Sequence, residues 1–163
     1  MNQNRSDAYV GLLAWLRGIN GLAGGYFYDL TSQVFTRLEL PSDNVAIELP
    51  YLAIPLEGAV ERVDEQNETH VRLSWLQPIH GFAPNNSVCD PDPREVDNVS
   101  ILRLRDDVLR RLLLDPTLGG KVTTSEVESV TIFGPEAAFA YGELTVTLRV
   151  YSWAAAHDLG SLV

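Results

Sequence analysis

Four glycines stand within eight residues, at Gly18, Gly21, Gly24 and Gly25, and the aromatic run Tyr26-Phe27-Tyr28 follows them. Closely spaced glycines are what a phosphate-cradling loop needs, because backbone N–H groups must reach the anion with no Cβ in the way. Here the spacing does not fit G-x-G-x-x-G, and no Lys-Ser or Lys-Thr follows to make a P-loop. The order of elements is also reversed. Nucleotide loops run strand, loop, helix, so that the helix N-terminus faces the phosphate; in this chain a helical pattern precedes the glycines and a strand pattern follows. The segment therefore reads as a turn from a helix into a sheet.

The other chemistry-bearing residues are sparse. His70, His80 and His157 are scattered, and none pairs with another at helical ligand spacing. A His80–Cys89–Asp90–Asp92 set can be drawn, but its spacing is no recognised metal pattern. The Asp and Asn residues of "NNSVCDPDP" are more simply turn formers. Cys89 is the only cysteine, so neither an intrachain disulfide nor a thiolate cluster can form within one chain. It has no nearby cation but Arg94 and no partner histidine in a nucleophile motif, and reads as a buried or idle thiol. No serine sits in a G-x-S-x-G elbow. The expectation is a protein with no catalytic residue, no cofactor and no metal.

The elements that hold these residues are legible from periodicity. Ser6 caps a helix over 7–19, with Asp7 in its first turn and Tyr9, Leu12, Leu13 and Leu16 at helical spacing. "YFYDL" and "QVFTRLEL" read as short strands, and "VAIELPYLAIPLE" as a strand in part, broken by Pro50 and Pro55. "EGAVERV" and "THVRLSWLQPI" flank an acidic run, Glu61 to Glu68, and predict a hairpin with that run as its solvated tip. Residues 81–95 are rich in Pro, Asn and Asp and predict a loop or mobile arm. A second helix is expected over 97–114. Ile101, Leu104, Val108 and Leu112 form its apolar face, widened by Leu109 and Leu113, and Asp106–Arg110 and Asp107–Arg111 form i,i+4 pairs on the other side. "DPTLGG" ends it. "EVESVTIF" and "ELTVTLRVYSW" close the chain as strands, the second alternating strictly. The sum is one α+β domain over 1–163: two main helices on a mostly antiparallel β-sheet with a long protruding hairpin.

Length and composition agree with that. The chain has 163 residues, of which 45% are hydrophobic, enough for one domain with a real core. Its formal charge of −10 argues against tight nucleic-acid binding. No apolar run approaches the ~20 residues of a membrane-spanning helix, and the N-terminus lacks a secretory leader pattern. A soluble protein made in a cytoplasm is expected.

Two stretches carry a family resemblance. In "GINGLAGGYFYDLTSQV", Gly25, Tyr26, Asp29 and Leu30 follow the G-Y-x-x-D-L part of the pattern I-x-x-x-x-G-Y-x-x-D-L-x-x-V, with Val34 one place beyond its valine, Ile19 one place before its isoleucine, and Tyr28 an alternative for the tyrosine; in "LRLRDDVLRRLLLDPTLGGKV", Asp115, Pro116, Leu118, Gly119 and Gly120 follow a helix-ending D-P-x-L-G-G. With the closing strand "GELTVTLRVYS", the chain resembles the tail terminator (tail completion, tail-to-head joining) proteins of tailed bacteriophages from about Leu12 to Ser152. Residues 81–95 are no part of the pattern. The resemblance implies a virion protein that forms a homohexameric ring. The ring caps the tail tube protein, stops tube growth and joins a head or neck connector protein, while DNA passes through without specific binding. Candidate subunit or partner contacts are Tyr26, Tyr28 and Asp29 in the glycine segment, Glu65 and Glu68 at the hairpin tip, and Asn85, Asn86 and Asp90 in the loop. The alternatives are another head–tail connector, neck or tube ring protein, and a small enzyme or ligand-binding module with a pocket against the Trp75 strand.

Overall fold

The structure is a computed structural model that describes residues 5–41, 48–56, 61–67, 69–84, 99–133 and 141–155. Helix α1 (Arg5–Leu16) leads through a short 3-10 turn (Gly21–Gly24) to β1 (Val34–Phe35) and β2 (Tyr51–Ala53); β3 (Glu61–Gln66), β4 (His70–Pro84), α2 (Val99–Leu114), β5 (Thr124–Phe133) and β6 (Tyr141–Ala155) follow. The six strands form one mixed sheet in the order β1-β2-β4-β6-β5, with β3 also paired to β4. Among the described residues only β1 and β2 are parallel; β4 and β6 pair antiparallel along their whole length, from His70↔Ala155 to Pro84↔Tyr141. The fold is α+β, two helices on one sheet.

Alternation on β4 and β6 decides which face is covered. Val71, Leu73, Trp75, Ile79 and Ala83 point to the helix side together with Leu144, Val146, Leu148 and Val150, and all are buried with Leu12, Leu13 and Leu16 of α1 and Ile101, Leu104, Val108 and Leu112 of α2. Each such Leu, Ile or Val contributes about 1.5–3 kcal/mol by burial. On the opposite face an aromatic ladder crosses four strands: Phe35, Tyr51, Phe82 and Tyr141, with successive ring centroids 5.9, 4.9 and 5.9 Å apart.

Helix α2 lies close to the sheet because two strand positions lack side chains. A Cβ at Gly81 would come within 3.0 Å of the Leu104 side chain and 3.1 Å of Leu52, and one at Gly142 within 3.1 Å of Ile101. Gly81 is thus part of a flat platform in β4, not the start of a loop. Glycine in this strand marks close approach of another element rather than a break. Of the expected loop, residues 81–84 are strand, and 85–95 lie outside the described residues.

Several expectations shift. Helix α1 ends at Leu16 and not at Ile19, and α2 begins at Val99, with 97–98 outside the described residues. "YFYDL" is no strand: only an isolated bridge between Asn20 and Asp29 forms, because the segment folds back on the glycine turn. "QVFTRLEL" is strand for two residues, and the described part of "VAIELPYLAIPLE", residues 48–56, for three. The acidic run is mostly strand β3, and the turn is Asn67 to His70, where the Asn67 carboxamide oxygen accepts the N–H groups of Thr69 at 2.9 Å and His70 at 2.7 Å. Leu113, 70% exposed, does not widen the α2 core face.

Candidate functional site: the glycine turn and the helix that holds it

The glycine segment is a closed turn. Gly21 and Gly25 take φ of +74° and +79°, values that favour glycine because a Cβ would strain them. Backbone bonds tie the turn shut: Gly21 N–H to Tyr28 O at 2.9 Å, Tyr26 N–H to Gly21 O at 3.0 Å, and Leu30 N–H to Ile19 O at 2.7 Å. Two further donors point inward. The Asp107 carboxylate accepts the Phe27 N–H on Oδ1 at 3.0 Å and the Tyr28 N–H on Oδ2 at 2.9 Å. Paired backbone N–H groups are how such a loop would grip a phosphate; here the anion is a carboxylate of the chain itself. Asp107 is buried at 2% exposure. Burial holds its pKa above the ordinary carboxylate value, while the two N–H bonds and the nearby Arg110 pull the other way.

The rest of this α2 face grips the same turn. Arg110 donates through Nη1 to the Gly25 carbonyl and lies 5.6 Å over the Tyr26 ring. Arg103 lies 5.1 Å over Phe27. Arg111 and Trp15 exchange bonds: Arg111 Nε donates to Trp15 O at 2.7 Å, Trp15 Nε1 donates to Arg111 O at 2.9 Å, and the guanidinium sits 3.8 Å from the indole centroid. The expected pairs Asp106–Arg110 and Asp107–Arg111 are therefore replaced: each arginine holds a backbone carbonyl and a ring, and Asp106 meets Arg105 at 2.6 Å. Sequence reasoning missed the role of Asp107. The available signal was its place three residues after Leu104 and one before Val108, on the buried side of the helix.

Of the candidate contacts, Tyr26 and Tyr28 are core residues, 5% and 8% exposed, so their rings present almost no surface to a neighbour; Phe27 between them is 48% exposed and Leu22 86%. Tyr28 donates its hydroxyl to Ser100 O at 3.2 Å, fixing the turn to the start of α2. Asp29 is exposed, and its carboxylate accepts the N–H and hydroxyl of Thr31 at 3.0 and 2.7 Å, which lower its pKa. Glu65 lies in β3 opposite Arg72, beyond a bulge, and not at the turn. Glu68, Asn85, Asn86 and Asp90 lie outside the described residues, as do Cys89 and His157.

The second motif is a turn of the same kind. Asp115 Oδ1 accepts the Thr117 N–H at 2.8 Å and Oδ2 the Gly119 N–H at 3.0 Å. Leu118, Gly119 and Gly120 follow at positive φ, and Leu118 is 2% exposed. Burying its side chain offsets the backbone conformation a leucine rarely adopts. Ser125 Oγ donates to Pro116 O at 2.8 Å and seats the turn on β5.

The sheet face away from the helices is half-exposed over the middle of β4 and β6. Arg72 stacks 5.0 Å over Tyr151, and Arg149 meets Glu128 at 2.9 Å. His80 lies there with its Nδ1 3.2 Å from Thr145 Oγ1; burial lowers its pKa, and Glu143 partly offsets this. Trp75 points to the other side and is 3% exposed, buried in the core and not lining an open surface. A cavity of about 640 Å³ lies instead between Tyr9, Thr36–Glu39, Pro55 and Leu56. Among the described residues no three His, Cys, Asp or Glu side chains group as a metal site, and no helix is long and apolar enough to cross a membrane. No family model matches the chain, and no curated protein matches it at a significant level.

Proposed function

We propose that this chain is a structural protein of a tailed phage that acts through contact rather than catalysis. It assembles as a hexameric ring on the end of the tail tube, stops tube growth and joins the tail to the head or neck. One observation supports this above the others. The two motifs behind the resemblance, far apart in sequence, are joined in space through α2: Asp107 and Arg110 hold the glycine turn, and Asp115 caps the turn that ends the same helix. Both stretches that carry the resemblance thus belong to one folding unit. Among the described residues both helices lie on one side of the sheet, and over the middle of β4 and β6 the other face is half-exposed, which also suits a subunit that meets neighbours on several sides. In this proposal the β3–β4 hairpin extends to an adjoining ring or edges the channel, with Glu65 and Glu68 as its acidic contacts, and the ring resides at the tail–neck junction of the virion after assembly in the host cytoplasm.

The test is assembly. Particles formed without this chain should carry tails of irregular length that fail to join heads, and adding it back should restore uniform, joined tails. Tails of normal length that join heads in its absence would refute the proposal. Normal tails that fail only at the neck would assign it instead to another neck or connector ring. Reversing Glu65 and Glu68 to Lys should leave the subunit folded and impair joining or DNA ejection.

A further inference from the structure

The sheet ends in a strand whose outer edge is open. Among the described residues, β5 pairs with β6 alone, so alternate N–H and C=O groups along Thr124–Phe133 face outward. Proteins guard such edges with charge, bulges or Pro. The first half of β5 is guarded: it has Glu126, Glu128 and a bulge between Val127 and Ser129. The second half, Ser129–Phe133, carries no charge and no Pro, is rich in β-branched residues, and exposes Val130 at 37% and Phe133 at 59%. The other side of the sheet is edged by the two-residue β1 at one end and by β3, paired to β4, at the other; β3 is exposed throughout and reads Glu-Arg-Val-Asp-Glu-Gln, a protected edge by the same criteria.

We infer that the chain pairs with a second copy of itself through Ser129–Phe133, antiparallel about a two-fold axis at Thr131. Strand parity restricts the register, since residues that face each other across a ladder share a face. Centring on Thr131 sets Val130 against Ile132 of the other copy and Ser129 against Phe133. It keeps the whole five-residue pairing within the uncharged half, and Glu126 and Glu128 of one copy never oppose those of the other. Centring nearer Glu128 would place like charges directly opposite, which is unfavourable. The two-fold stands normal to the sheet, so both helix layers lie on one side. Val130, 37% exposed, then gains an apolar neighbour where its own helix layer leaves it uncovered. Five residues a side fall short of a standard interface of about 1,200 Å² or more, so the association is weak and concentration-dependent. It is a property of the free chain and stands whether or not the chain also forms a ring.

The experiment uses the full chain with Cys89→Ser, so that an introduced thiol is the only one. Antiparallel pairing about Thr131 brings its two Cα atoms to about 4.5–5.5 Å, within disulfide reach. Under mild oxidation Thr131→Cys should form a covalent dimer at least about tenfold faster than Glu126→Cys, whose two copies lie far apart in this register. Adding Val130→Lys to Thr131→Cys should remove that advantage while the circular dichroism spectrum stays unchanged. In the unsubstituted chain, amides of Ser129–Phe133 should exchange more slowly as protein concentration rises. Equal crosslinking rates at 131 and 126, or exchange independent of concentration, would overturn the inference.

Discussion

Asp107→Ala removes the acceptor for two backbone donors at once, the N–H groups of Phe27 and Tyr28 at 3.0 and 2.9 Å. Tyr28 is 8% exposed, so water does not readily replace the carboxylate there. An unsatisfied buried donor costs about 1–3 kcal/mol, and the Phe27 N–H is only part-buried, so the two together cost at most about 2–6 kcal/mol. Alanine also relieves the burial of a charge, which the raised pKa of Asp107 shows to be unfavourable. The net loss expected is about 2–4 kcal/mol. In a chain of this size each kcal/mol lowers Tm by about 2–4 °C, which gives a fall of roughly 4–16 °C. Asp107→Asn keeps one acceptor but turns an NH2 group toward a donor, and should fall between wild type and alanine. Thermal and urea melts read the global loss, and amide exchange locates it: Phe27 and Tyr28 should lose protection beyond the loss common to β4 and β6. An alanine variant with unchanged Tm, or with native exchange at those two amides, would show that the turn holds itself and that α2 merely lies beside it.

Leu104→Ala, at a fully buried position, should destabilise by about 2–5 kcal/mol in urea melts; an unchanged midpoint would mean that α2 does not seat on the sheet through this face. Gly81→Ala should destabilise by about 1–3 kcal/mol through overpacking, since its Cβ would press on Leu104, Leu52 and Leu144; a second change, Leu104→Val, should recover part of that loss if the contact is the cause. Burial depresses the pKa of His80, so its neutral form is favoured in the fold. Its contribution is present above the unfolded value of about 6.5 and fades as pH falls through that value toward the folded pKa. Melts across pH 5–8 should lose that slope in His80→Gln; an identical slope would assign it to other groups. Asp107 has the opposite sign. Its raised pKa means that stability falls as pH rises from the ordinary carboxylate value through the folded one, and this component should be absent in Asp107→Asn.

Local patterning settled much of this protein. Alternation from Leu144 to Val150 fixed both the strand and its buried face, because a period of two leaves only one side for the core. The spacing of Ile101, Leu104, Val108 and Leu112 fixed the buried stripe of α2 in the same way. The order helix, glycines, strand favoured a turn over a phosphate loop, and Gly21 and Gly25 at positive φ form that turn. Tertiary contact decided what periodicity cannot express. Asp107 and Arg111 have the spacing of a solvated ion pair, but the helix rolls them against the glycine turn and Trp15, where backbone groups are better partners than each other. Gly81 sits in a Pro- and Asn-rich neighbourhood that signals a loop, yet a helix arriving from later in the chain needs its missing side chain. Tyr26 and Tyr28 are aromatic enough for a core or an interface, and only the fold of the turn sends both rings inward and leaves Phe27 in solvent. The open edge of β5 could not be read at all before the strand order was known, because an edge is a property of the sheet and not of the strand.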